Sequence, residues 1–340
     1  MASYRSIILA QRPKELIVPG ETFAIKEAPM LLETDLKAGQ ILVKTQYLSL
    51  DPAMRAWLND VPTYMPPVQI GEVMRGSTIG KIVASTEPGY NIGTYVTCNP
   101  GWTELAIMDA KDATPIDVPK NGRVTDALGA LGFPGLTAYF GILDIGQVKV
   151  GDFVVVSGAA GATGSIVCQI AKLKGARVLG IAGSDDKVEW LKELGCDDAL
   201  NYKDVTFAKQ FQEKTLDLID VFWDNVGGEI LDLALRKAKP YARFVMCGSI
   251  SQYNSSDPIG PKNITLVAPR RIKLQGFLVF DYASQFPNAR KELSQWLLDG
   301  KLQSRETIIK GGLNAAEQGL IDLYNGINTG KLLVEVTADE

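Results

Sequence analysis

Residues 152–165 read DFVVVSGAAGATGS, an apolar run that gives way at once to small residues. Val154, Val155 and Val156 are β-branched and continuous, the pattern of a strand buried on both faces. A glycine- and alanine-rich loop follows, and residues 165–174 then place apolar side chains at helical spacing. Outward from this unit the texture repeats. Residues 177–182 (RVLGIA) read as a second strand, 185–194 as a second helix, 217–223 (DLIDVFW) as a further strand, 228–238 as a helix and 243–247 as another strand. Strands alternating with helices close into a doubly wound parallel sheet through right-handed crossovers. The predicted class is α/β, with a Rossmann domain over residues 130–307.

The loop between the first strand and its helix carries the chemistry. Against the pattern G-x-G-x-x-G it supplies Ala159, Gly161 and Gly164, with alanine at the first position. A dinucleotide pyrophosphate needs bare backbone beside it, close helix–strand packing, and amides at a helix N-terminus. Gly161 allows the approach and Gly164 the packing. Small residues also serve tight turns of no chemical consequence, but here they sit in the required strand–loop–helix setting, so dinucleotide binding is predicted.

The second strand leads into Ala182-Gly183-Ser184-Asp185-Asp186-Lys187. NAD-specific sites usually place an acid at this strand tip to accept from the ribose 2′-hydroxyl. No acid stands at the tip here, and Lys187 follows within one helical turn. A cation at that place can pair with a 2′-phosphate, which favours NADPH over NADH. The plainer reading has Ser184 capping the helix, Asp185 and Asp186 favouring its dipole, and Lys187 solvated. Both can hold at once.

With 340 residues, two domains are expected. The first ~130 residues look β-rich and irregular, as at residues 41–45 and 78–83, with frequent proline and glycine (Pro62, Pro66, Pro67, Gly71, Gly76). The tail adds a helix over 289–298 and a strand over 330–336. A net charge of −4 gives no basic face for nucleic acid or an anionic membrane. The apolar run at residues 7–10 is too brief for a secretory signal, and no run approaches the ~20 apolar residues of a span. A cytoplasmic protein is predicted. The four cysteines form no C-x-x-C pair, and histidine is absent. Common zinc sites use histidine, so no metal is expected. Proton transfer must then come from Tyr, Lys, Cys, a carboxylate or water.

At this point a family resemblance enters. Residues 157–187 (SGAAGATGSIVCQIAKLKGARVLGIAGSDDK), with Leu200-Asn201-Tyr202-Lys203, Asp224-Asn225-Val226-Gly227-Gly228 and the stretch from Cys247 to Asn254 (CGSISQYN), closely resemble the zinc-independent medium-chain dehydrogenases/reductases. That family includes prostaglandin reductase/leukotriene B4 12-hydroxydehydrogenase, plant 2-alkenal (double-bond) reductases and bacterial curcumin reductase. Residues 48–55 (LSLDPAMR), residues 132–139 (GFPGLTAY) and Gln275-Gly276-Phe277 also fit. The resemblance implies a GroES-like β-rich catalytic domain over residues 1–129, completed by 308–340, around the Rossmann domain. It implies that Lys187 and Tyr202 contact the 2′-phosphate, that Ala162, Thr163 and Gly164 face the pyrophosphate, and that Gly183 borders the adenosine ribose. Asn225 and Asn328 would bond elsewhere along NADP(H), with Gly330 beside Asn328. Pro52, Cys247, Phe277, Leu278 and Val279 would line the nicotinamide, and Tyr253 would also touch the cofactor. Many relatives carry tyrosine where this chain has Ala53, which removes one aromatic wall of the substrate pocket. Family habit implies a homodimer.

The activity so implied is NADPH-dependent reduction of the C=C bond of a conjugated enal or enone. Negative charge then builds on the carbonyl oxygen, and a hydrogen-bond donor must meet it. Without histidine, tyrosine is the natural donor. Tyr253 lies just past a strand end, where doubly wound sheets build ligand sites, and Tyr64 matches a second tyrosine near substrate in relatives. Either could also be ordinary packing. Cys247 reads as a small hydrophobe without an activating base, Trp57 and Trp102 as core or pocket wall, and Arg270-Arg271 as a surface pair in preference to a pair that positions a substrate carboxylate. Rival activities are carbonyl or quinone reduction with the same cofactor, and non-catalytic binding of NADPH.

Overall fold

The chain leaves one folded unit for another and then comes back. Met1–Leu128 with Glu306–Glu340 make the first, and Gly129–Arg305 the second. The computed structural model describes residues 2–61, 63–117 and 122–337. Pro62, one of the prolines that punctuate the N-terminal stretch, lies outside them.

The N-terminal part of the first unit is built from short antiparallel strands. β1 (Ser3–Leu9) pairs with β2 (Phe23–Pro29) as a separate ribbon. β3 (Gln40–Ser49) and β4 (Thr78–Ser85) form the spine of a larger sheet, and β5 (Tyr95–Cys98), β6 (Leu105–Asp109) and β7 (Thr114–Pro115) extend it. The β3–β4 register shifts between Leu42 and Val43 and again between Thr45 and Tyr47. Such bulges bend a strand, and β3 pairs with β4 along one edge and with β6 along the other. Leu48, Leu50, Met54 and Trp102 are sealed in one core with Phe23, whose ring lies 5.1 Å from Trp102. Trp102 is thus core, one of the two roles expected for it.

The second unit carries a six-stranded, wholly parallel sheet. Its strands are β8 (Phe153–Val156), β9 (Arg177–Ala182), β10 (Asp198–Asn201), β11 (Ile219–Asp224), β12 (Ala238–Met246) and β13 (Lys273–Gly276), in the order β10-β9-β8-β11-β12-β13. β8 runs through the middle. Val154 and Val156 face one core with Ile166, Val167 and Ile170, while Phe153 and Val155 face another with Phe211 and Leu231. Alternate residues of a strand point to opposite faces, so helices on both sides bury the whole valine run. Helices Ala162–Leu173, Asp185–Glu193, Phe207–Lys214 and Gly228–Arg236 make the crossovers. The first starts at Ala162, about a turn earlier than the spacing suggested. β10, β13 and the helix Phe207–Lys214 were not anticipated.

The last stretch returns to the first unit. β14 (Glu306–Ile309) pairs in parallel with β15 (Lys331–Glu335), and β15 joins β3 antiparallel with Leu333 opposite Ser49. Among the described residues no helix is long and apolar enough to cross a membrane.

Candidate functional site

The turn after β8 is set by what its glycines exclude. A Cβ on Gly164 would stand 2.3 Å from the Gly158 carbonyl oxygen and 2.8 Å from Ala159 Cα. Both are backbone atoms that no rotamer change can move, so the helix rests directly on the loop. A Cβ on Gly161 would meet only the Gly158 oxygen, at 3.3 Å, and its φ of −82° is ordinary. As the N-cap, Gly161 brings no side chain to occupy the first-turn amides. Those amides and the positive end of the helix dipole form a seat for an anion.

The end of β11 braces this turn. Asp224 is fully buried, and its Oδ1 accepts from Ser157 Oγ at 2.8 Å and from the amides of Val226 and Gly227 at 2.9 Å each. Burial raises its pKa, against the pull of these donors. Asn225 Nδ2 donates to the Ser157 carbonyl at 2.7 Å, and Asn225 Oδ1 accepts from Trp223 Nε1 at 3.0 Å. The amide therefore ties β11 to the loop after β8, and one of its two N–H groups is spent in doing so.

At the end of β9, Gly183 is glycine for a local reason: a Cβ there would stand 2.8 Å from Tyr202 Cε1. Tyr202 follows β10 and is 43% exposed. Lys187 is buried rather than solvated. Burial lowers its pKa, Asp186 opposes that shift, and Lys203 adds to it. Ser184 occupies the N-cap with extended φ and ψ, yet its side chain makes no capping bond to the helix. Its hydroxyl bonds the Asp186 carboxylate instead, which holds that carboxyl below its ordinary range. Asp185 Oδ1 accepts from Asn201 Nδ2 at 2.9 Å. Lys203, whose Nζ lies 5.9 Å from the Tyr202 ring centroid, completes the cluster. The sequence reading named Lys187 and Tyr202 here and gave Lys203 no role. The signal was Asn201 two residues earlier, since an asparagine side chain often bonds the backbone two residues on and folds the segment.

Past β12, Tyr253 ends the short turn Ile250–Gln252 and folds back on its own loop, where its hydroxyl oxygen accepts from the Ser249 amide at 3.1 Å. A Cβ on Gly248 would lie 2.9 Å from that oxygen, so glycine leaves room for it. The Cys247 thiol is pushed up to about 12, first by burial and then by Asp224, and so stays protonated at neutral pH. Phe277 meets Trp223 edge-on at 6.0 Å. Both crowd Gly141, where a Cβ would lie 2.4 Å from Trp223 Cη2 and 2.5 Å from Phe277 Cζ. Leu278 is 37% exposed, and Val279 starts the short turn Val279–Gln285. Arg270 Nη1 donates to the carbonyls of Arg236 at 2.9 Å and Ala238 at 2.7 Å, while Arg271 stacks on Tyr241 at 4.6 Å. The arginine pair caps and braces its own unit.

The remaining candidates lie in the first unit. Pro52 follows β3, and its carbonyl accepts from the Tyr324 hydroxyl at 3.1 Å. Asn328 is buried, and its Nδ2 donates to the Gly330 carbonyl at 2.8 Å, closing a turn in which Gly330 has φ of 70°. Lys331, also buried, donates to the Leu50 carbonyl at 2.8 Å and to Asp51 Oδ1 at 2.6 Å. It thereby links the Asp51-Pro52 turn to the one at Asn328–Gly330. Tyr64 is 44% exposed, and its hydroxyl accepts from Trp57 Nε1 at 3.3 Å. Arg75 lies over the Trp57 ring at 5.4 Å.

Comparison with known proteins gives these features a context. Residues 5–116 match a family model described as the N-terminal domain of oxidoreductase, and residues 162–295 one described as zinc-binding dehydrogenase. The chain has no histidine, and no group of three or more Cys, Asp or Glu among the described residues could hold a metal ion. An NADPH-dependent curcumin reductase of Escherichia coli (strain K12) is 40% identical over 99% of this chain and 98% of its own length. Prostaglandin reductase 1 of Bos taurus is 39% identical over 88% of this chain and 90% of its own. The crystal structure of CurA in complex with NADPH from Vibrio vulnificus superposes with a TM-score of 0.90 at 38% identity, covering 98% of this chain and 100% of that one.

Proposed function

Because the chain belongs to the zinc-independent medium-chain dehydrogenase/reductase family, we propose that it uses NADPH to reduce the C=C bond of α,β-unsaturated aldehydes and ketones. The observation that carries this reading is the 40% identity, over 99% of the chain, with a reductase named for NADPH and for curcumin, a conjugated ketone.

The residues suit the cofactor. Its pyrophosphate fits the side-chain-free turn at Gly161 and Gly164, where Ala162, Thr163 and Gly164 offer first-turn amides. Its 2′-phosphate fits Lys187 and Tyr202 beside Gly183. We assign Asn225, Cys247, Phe277, Leu278, Val279, Pro52, Asn328 and Gly330 to the rest of the dinucleotide. When bound, NADPH supplies a hydride. The chain must meet the negative charge that reaches the carbonyl oxygen as the β-carbon is reduced. Histidine is absent and a thiol such as Cys247 is a weak hydrogen-bond donor, so tyrosine is the natural donor to that oxygen, with the proton itself coming from tyrosine, the nicotinamide ribose hydroxyl or water. Tyr253 is the donor we assign: by accepting from the Ser249 amide its oxygen is polarised, which strengthens its own O–H as a donor. Tyr64 is the second substrate-facing hydroxyl, held by Trp57.

The test is to incubate the protein with NADPH and a conjugated enone and identify the product. A saturated ketone supports the reading. An allylic alcohol, or turnover only with quinones, replaces it by carbonyl or quinone reduction, and binding of NADPH without oxidation makes the protein a non-catalytic binder.

A further inference from the structure

The cluster at the ends of β9 and β10 holds a second lysine, Lys203, to which none of the candidate phosphate contacts gives a role. Asn201 organises it with both ends of one amide. Its Nδ2 donates to Asp185 Oδ1 at 2.9 Å, and its Oδ1 accepts from the Lys203 backbone amide at 3.0 Å. The second bond turns the chain sharply at Tyr202, and Lys203 Nζ comes to lie 5.9 Å from the Tyr202 ring. That ring is the one packed against Gly183. Lys203 makes no ion pair with a carboxylate among the described residues, and the acids around it have hydrogen-bond partners of their own: Asp185 is bonded by Asn201, Asp186 by Ser184 and Asp204 by Thr206. Lys187 lies near enough for the two ammonium groups to repel each other. Two lysines whose ammonium groups repel each other mark a place where an added anion would be favoured, since it would relieve that repulsion.

We propose that Lys203 is a second specificity-determining cation for the adenosine 2′-phosphate, and that Asn201 serves it by holding the Asp185 carboxylate in a hydrogen bond of its own. This rests on the NADPH reading above and adds to it a division of labour. Lys187 is buried, whereas Lys203 is exposed with its Nζ over the Tyr202 ring. The exposed cation contributes a charge-assisted contact that salt screens.

The experiment is calorimetric titration of the whole protein with NADPH, NADH, 2′,5′-ADP and 5′-AMP at two salt concentrations. Lys203→Gln is expected to weaken NADPH and 2′,5′-ADP about tenfold, to leave NADH and 5′-AMP unchanged, and to blunt the salt dependence of the phosphate-bearing pair. Equal affinity of variant and wild type for 2′,5′-ADP overturns the proposal, as does an equal loss for NADH. Asn201→Ala is expected to weaken NADPH about threefold, and Asp185→Asn in the same chain to restore it. Failure of that restoration removes Asn201 from the account. If the wild type itself binds NADPH no better than NADH, the cofactor reading fails, a result read before any variant is made.

Discussion

Replacing Gly164 by alanine tests the phosphate seat more sharply than any change to a charged residue. The new methyl would stand 2.3 Å from the Gly158 carbonyl oxygen and 2.8 Å from Ala159 Cα. An ordinary carbon–oxygen contact is ~3.3 Å or longer, so the helix must retreat from the loop by about 1 Å. Overpacking of this kind costs ~1–3 kcal/mol, and alanine returns up to about 1 kcal/mol of helix propensity, which leaves a net loss of ~0–2 kcal/mol in stability. Binding suffers more. An amide that reaches a phosphate oxygen at about 2.9 Å lies at ~3.9 Å after such a retreat, outside hydrogen-bond range. Losing two bonds to a charged group, at ~1.5 kcal/mol each, amounts to about 3 kcal/mol, or roughly a hundredfold in affinity. The assay is NADPH fluorescence titration beside thermal melting, with Gly161→Ala as the reference for stability alone, since a Cβ there meets one protein atom at 3.3 Å and needs no unusual φ. Gly164→Ala binding NADPH within threefold of wild type would refute the argument.

Three further outcomes are expected. Tyr253→Phe should lower kcat by ~10²–10³ with little change in NADPH affinity if its hydroxyl meets the developing charge; an unchanged kcat removes it from the mechanism. Cys98 is buried, and its pKa is raised from 9.0 to about 11, so the unfolded chain ionises first as pH rises. The stability tied to its neutral thiol is full below pH 9 and is lost between there and pH 11, by about 1.4 kcal/mol per pH unit. Urea unfolding across that range should show a shallower loss in Cys98→Ala than in the wild type, and parallel profiles would exclude the effect. Arg55 is 2% exposed, and its guanidinium donates to the Glu15 carbonyl at 2.8 and 2.9 Å and to Asn59 Oδ1 at 2.6 Å. Arg55→Met should destabilise by ~2–4 kcal/mol because those acceptors lose their donor, and Arg55→Lys should recover only part, lacking the planar fork. Equal stability of all three chains by denaturation would count against that role.

The sheet of the second unit was legible where burial forces uniform chemistry. β8 and β11 lie inside the sheet with helices on both faces, so FVVV and IDVFW carry their assignment in composition alone. β10 and β13 are four-residue edge strands. Asp198-Ala199-Leu200-Asn201 is too short and too polar for periodicity to mark. β12 was visible from Arg243 onward, but its start at Ala238 is hidden by Pro240 and by Tyr241 at φ of 66°. In the first unit, strands are stitched by contacts between residues far apart in sequence, such as Arg5 with Glu104 and Lys331 with Asp51. No local window contains either pair. The phosphate turn was readable because its requirement is local and steric. Lys203 was not, because its role depends on where one asparagine side chain turns the backbone.

The pairing of β15 with β3 also bears on how the protein is made. Ser49 meets Leu333, and the Leu50 carbonyl meets Lys331, some 280 residues later in the chain. During synthesis the segment holding the six parallel strands has left the ribosome, and can fold, while the first unit still waits for its last strand. Until then β3 offers an open edge of backbone donors and acceptors to any neighbouring chain. A nascent protein arrested before residue 331 therefore carries a finished nucleotide-binding half joined to an aggregation-prone one, and loss of the final few residues is expected to be felt near the N-terminus.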